Sequence, residues 1–173
     1  HCRDRHFGTL HPRWRQGGDR LAWWQGRRER VEAYELRGRR RERGVEGGEG
    51  VVGEFMGELA ADDLVLLLKK RFDVECVQCN QLLRRPIRRV AVCGGAGSFL
   101  LDDAIAAGAD AFITGEMHYH EYFGHDQEIQ IAVIGHYQSE QFTNEIFKSI
   151  IEERCAGVSC YLTELNTNPI IYL

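Results

Sequence analysis

Beyond residue 50 the apolar positions fall alternately into short runs and helical stripes. Residues 51–56 form a brief apolar run broken by Gly53 and followed by Gly57. Leu64, Leu67 and Leu68 then recur at helical spacing and predict a helix over 62–71. Asp62 and Asp63 stand at its start and Lys69, Lys70 and Arg71 at its end, the polarity that the helix dipole favours. Residues 72–79 read as a strand and 81–86 as a polar connection. Val90-Ala91-Val92-Cys93 predicts a buried strand, Gly94-Gly95-Ala96-Gly97-Ser98 a tight turn, and 99–107 a helix with Leu100, Ala104 and Ala107 on one side. Gly108 suits that helix's C-cap. Ala111–Thr114 predicts a second strand, 118–123 a short helix or loop, and 129–134 a third strand stopping at Gly135. A long helix is expected over 136–153 with Phe142, Ile146 and Ile150 on its apolar face, then a last strand at 159–162 and an extended tail. Strand and helix alternate, so the pattern predicts an α/β fold on a mixed or mainly parallel sheet with right-handed crossovers.

The first fifty residues break this pattern. They hold thirteen arginines, no lysine and all three tryptophans against eight acidic residues; residues 51–173 hold nine basic and eighteen acidic ones. The net charge of −4 therefore describes neither part. Residues 1–50 read as a poorly ordered basic segment, as a nucleic-acid arm in which arginines contact phosphate and tryptophans stack, or as text foreign to the native protein. Six interleaved glutamates count against the nucleic-acid arm. At 173 residues the chain has length for one good-sized domain or two small ones. No apolar stretch is long enough to span a membrane. Six cysteines are too sparse for a secreted disulfide scaffold and point to a reducing, cytoplasmic compartment.

In open α/β sheets ligands sit beyond the C-terminal strand ends. Here those ends carry the glycine turn, then Thr114-Gly115-Glu116-Met117-His118-Tyr119-His120, then Gly135-His136-Tyr137-Gln138-Ser139-Glu140. The glycine turn matches neither a dinucleotide fingerprint nor a Walker loop. It reads as a plain strand-to-helix turn or as an anion site. His136 and Glu140, at i and i+4, share one helix face and suit a divalent transition metal or a surface ion pair. Glu116, His118 and His120 add potential ligands near the same edge, while His125 reads as a solvated loop residue. Two donors do not complete a zinc site. Cys76-Val77-Gln78-Cys79 lacks the second pair that structural zinc needs and the helix N-terminus that a redox pair favours.

The run from Val90 to Gly97, Gly108-Ala109-Asp110, Thr114-Gly115-Glu116, Tyr119-His120, Gly135-His136-Tyr137 with Glu140, and Asn166-Thr167-Asn168-Pro169-Ile170 together resemble the GTP cyclohydrolase I type II-like family, also called the Nif-three-like dinuclear metal centre family. The resemblance covers about residues 50–173. It implies a three-layer core that binds two divalent metal ions, of zinc, iron or manganese type, and assembles into a homo-hexamer. His136 and Glu140 land on metal ligands; Glu116 and His120 land on candidate catalytic residues that orient ligands or carry protons. By the same resemblance 51–82 are the end of an inserted ferredoxin-like domain and 83–173 the C-terminal half of the core. The family's His-His pair is missing from this chain, and only 32–36 bear a faint likeness to the insert. The expectation is thus the C-terminal part of a longer protein, with half a metal site. A metal-dependent hydrolase acting on a small molecule and a non-enzymatic hexameric metal-binding or regulatory scaffold both remain open.

Overall fold

The strands that the sequence marks as most apolar lie at the centre of the molecule. The computed structural model describes residues 49–171 and the backbone of β1 (Tyr34–Leu36). Along the chain follow β2 (Gly50–Leu59), α1 (Ala61–Phe72), β3 (Gln78–Cys79), β4 (Ile87–Cys93), α2 (Leu101–Ala106), β5 (Ala111–Thr114), β6 (Gln130–Val133), α3 (His136–Glu140) and α4 (Thr143–Arg154). The sheet order is β1-β2-β4-β5-β6-β3. β4, β5 and β6 run parallel, while β2 joins β4, β1 joins β2 and β3 joins β6 antiparallel. The fold is therefore α/β on a mixed sheet. β5 and β6 are buried at every position, as parallel strands covered on both faces must be.

Alternate residues of the central strands feed two separate cores. Val90, Val92, Ala111, Ile113 and Ala132 face Leu64, Leu68 and Phe72 of α1. Ala91, Cys93, Phe112, Ile131 and Val133 face Leu100, Leu101 and Ala104 at and before α2. This period-two division places one helix layer on each face and yields the three expected layers. Gly108 follows α2 in the left-handed region, φ 70°, and its N–H donates to Ile105 O at 2.8 Å. Within 51–82, the stretch that the resemblance assigns to an insert, β2, α1 and β3 all contribute to this same sheet or its cover.

Four expectations are corrected. Residues 72–79 are not one strand: α1 runs through Phe72, Asp73 turns left-handed at φ 51°, and only Gln78–Cys79 pair, with Val133 and Ala132. Val74 and Val77 pack on the core without a ladder, and that packing satisfies the apolar pattern that suggested a strand. The long helix is two helices. Gln141 Nε2 donates to Phe72 O at 2.8 Å and Phe142 packs on Phe72 at 6.3 Å between ring centroids, pinning the chain between α3 and α4. The apolar stripe of α4 buries no residue fully. No strand forms at 159–162, where Tyr161 is 91% exposed. The predicted helix over 99–107 begins as a 3-10 turn, Ser98–Leu100. The readings of 1–33, 37–48 and 172–173 fall outside the described residues.

Candidate metal centre

β4, β5 and β6 end side by side, and the turns that leave them are hydrogen-bonded into one unit. The Gly95 carbonyl accepts from Gly97 N–H at 3.1 Å, from Gly115 N–H and Glu116 N–H at 3.0 Å each, and from the Thr114 hydroxyl at 3.2 Å. Gly95 N–H donates to Ser139 Oγ at 2.9 Å, and that hydroxyl donates to His136 O at 2.7 Å. Thr114 Oγ1 in turn accepts Gly97 N–H at 3.1 Å. Ser139 and Thr114 are buried polar side chains, and these bonds satisfy them. The turns touch so closely that a Cβ on Gly115 would lie 2.7 Å from Gly95 O. Gly95 itself holds φ +63°, and a Cβ there would lie 2.6 Å from Glu140 Oε1 and 3.5 Å from His136 Nε2.

This junction brings together Glu116 from the second turn with His136 and Glu140 from α3. His136 Nδ1 lies 3.0 Å from Glu116 Oε1, and His136 Nε2 lies 3.4 Å from Glu140 Oε2. The imidazole thus stands between two carboxylates, one for each ring nitrogen. The His136 and Glu140 side chains are 33% and 27% exposed, so a ligand can reach both from solvent. His120 stands apart. It is exposed and stacks on His118, with ring centroids 5.6 Å apart and planes at 29°. Among the described residues no hydrogen bond or ion pair joins His120 to Glu116, His136 or Glu140. His125 pairs with Glu128 at 2.9 Å on its loop, away from this group.

Among the described residues no trio of His, Cys, Asp or Glu is arranged to hold a metal ion. The geometry gives the reason: Glu116 and Glu140 approach different nitrogens of one ring, so the three share no common point. The pair His136 Nε2 and Glu140 does fit a borderline metal by donor type. The glycine at position 95 leaves open the space at this pair that a side chain would fill. The thiols do not compete for it. Burial, and then the Glu49 and Glu140 carboxylates, push the Cys93 thiol up to about 12. Burial, and then Cys76, push Cys79 up to about 11, the opposite of an activated redox pair. Sequence reasoning placed Gly95, Thr114 and Ser139 within the three strand-end turns but gave none of them a role of its own; the bonds that link them appear only in the fold.

The chain resembles known proteins over most of its length. A GTP cyclohydrolase 1 type 2 homolog of Bacillus subtilis is 28% identical over 135 residues, 75% of this chain and 36% of that protein. One from Streptococcus pneumoniae is 29% identical over 140 residues, 76% of this chain and 52% of that protein. The chain therefore spans between about a third and a half of these curated relatives. A crystal structure of a Bacillus cereus protein related to NIF3 superposes with a TM-score of 0.60 at 26% identity, covering 73% of this chain and 36% of that one. A Staphylococcus aureus protein shares the fold with a TM-score of 0.67 at 23% identity over 73% of this chain and 38% of that one. A family profile matches residues 10–169 and so begins well before residue 50, where the motif resemblance starts. By the extent of that match, the chain belongs to the DUF34/NIF3 (NGG1p interacting factor 3) family.

Proposed function

We propose that this chain supplies part of a metal-dependent hydrolase centre. The observation that carries the reading is the His136 ring held at both nitrogens by carboxylates, beside a glycine that leaves the pair open. With the Nδ1 proton on the side of Glu116, 3.0 Å away, His136 would keep the Nε2 lone pair beside Glu140 for coordination, the usual arrangement of a metal-ligating histidine. Glu140, one helical turn on, is the second donor. Two divalent ions of zinc, iron or manganese type are the proposed cofactors, with the other donors on the part of the family protein that this chain does not span. Such ions activate water and polarise the bond to be cleaved. His120, exposed on the turn that carries Glu116, is the proposed proton carrier. A small-molecule substrate, a homo-hexamer and a cytoplasmic location complete the proposal. No helix among the described residues is long and apolar enough to cross a membrane.

Exposed apolar residues favour a second reading, a non-enzymatic scaffold. Phe147 and Ile151 on α4, and Tyr161, Leu165 and Ile171 beyond it, all face solvent and would suit assembly more than chemistry. Metal analysis after purification tests the donors. In a family member that carries both halves, the wild type should retain divalent metal, and alanine at the positions of His136 and Glu140 should each lose most of it. Unchanged metal in both variants would overturn the assignment. Loss of GTP or phosphoester turnover on chelation, in a family member that carries both halves, would separate the hydrolase from the scaffold.

A further inference from the structure

Glu121 takes no part in the centre described above, yet one carboxylate here ties two turns together. Its Oε1 accepts the Ser98 hydroxyl at 2.8 Å. Its Oε2 accepts His118 N–H at 2.6 Å and lies 3.3 Å from His118 Nδ1. Ser98 ends the glycine turn after β4, whereas Glu121 belongs to the 3-10 turn Tyr119–Tyr122 after β5, which it caps reciprocally with His118. The contact therefore fixes both the backbone and the ring of His118. That ring is the surface on which His120 stacks. Partial burial works against ionisation of Glu121, but the His118 N–H, the Ser98 hydroxyl and the His118 ring outweigh it and hold the carboxyl below its usual range. An exposed histidine on a loop otherwise samples several rotamers.

We infer that Glu121 is a positioning residue for His120, anchored to the glycine turn through Ser98 and acting on the His120 ring through His118. The catalytic meaning of this placement rests on the proposed role of His120; the placement itself does not.

NMR of the full 173-residue chain without added metal tests it. Wild type should show cross-peaks between the His118 and His120 rings and mutually shifted ring protons. Glu121→Ala should abolish the cross-peaks and return both rings to free-histidine shifts. Glu121→Gln, which keeps one acceptor oxygen, and Ser98→Ala, which removes only the anchor, should each give intermediate shifts. If Glu121→Ala does not fold, those two milder variants carry the test. Wild-type cross-peaks and shifts in every folded variant would overturn the inference. In a family member with measurable turnover, Glu121→Gln should lower kcat with KM and bound metal unchanged. Wild-type kcat there would overturn the link to chemistry. If a family member that carries both halves binds no metal but the rings respond as stated, the hydrolase reading fails and the positioning role stands.

Discussion

At the scale of single residues, Gly95 decides whether the centre can exist. Its positive φ and the 2.6 Å approach of Glu140 to the missing Cβ act in the same direction. Gly95→Ala should destabilise the fold by about 1–3 kcal/mol, the usual cost of a side chain held in the left-handed region. It should also swing the Glu140 carboxylate away from His136 and, in a family member that carries both halves, lower bound metal. Thermal unfolding and metal analysis of the one variant read both effects, and unchanged values would sink the argument. Part of this site was legible beforehand. His136 and Glu140 announce themselves because i and i+4 spacing is local. Ser139 does not, because its purpose appears only when Gly95, 44 positions earlier, reaches its hydroxyl. For His120 the converse holds: its nearness to Glu116 in sequence does not become a contact in space, and it stacks on His118 instead.

At the scale of elements, burial separates two helices that look alike in sequence. α1 drives Leu64 and Leu68 into one core, whereas α4 carries an apolar stripe yet has no fully buried residue. Leu64→Ala should cost about 2–5 kcal/mol, while Ile151→Ala, at an exposed position of α4, should change stability by no more than roughly 0.5 kcal/mol. Equal losses in denaturant titrations of the two variants would contradict this division. The central strands and α1 were readable because their periodicity and their burial coincide. The break between α3 and α4 was not, since a single glutamine reaching the Phe72 carbonyl causes it and no local breaker residue marks the place. The expected strand over 72–79 failed because α1 runs on through Phe72 and Asp73 turns left-handed, so only Gln78 and Cys79 come to pair with β6.

At the scale of the whole molecule, the two ends of the parallel strands have different tasks. At the end opposite the candidate centre, Asp110 accepts Arg88 N–H at 2.9 Å and Arg89 N–H at 2.8 Å and pairs with the Arg85 guanidinium. Its backbone joins β4 and β6 through Arg89 O and Gln130 N–H. Burial opposes the charge, but these donors prevail and hold the Asp110 carboxyl below its ordinary value. Its stabilisation is therefore complete above the unfolded carboxylate pKa and is lost as the pH falls through the lowered folded value. Asp110→Ala should cost roughly 1–3 kcal/mol at neutral pH and should flatten the fall in stability under acid; an acid transition identical to wild type would refute this. The other end is closed by the Gly95 carbonyl, which already receives four donors. A cation entering there would find that carbonyl already engaged and would meet imidazole and carboxylate beside it. Calcium and magnesium, which gather oxygen ligands, gain little from such a mouth, whereas ions content with mixed nitrogen and oxygen lose nothing. The same bonds that knit the turns would thus bias which cations the proposed centre favours.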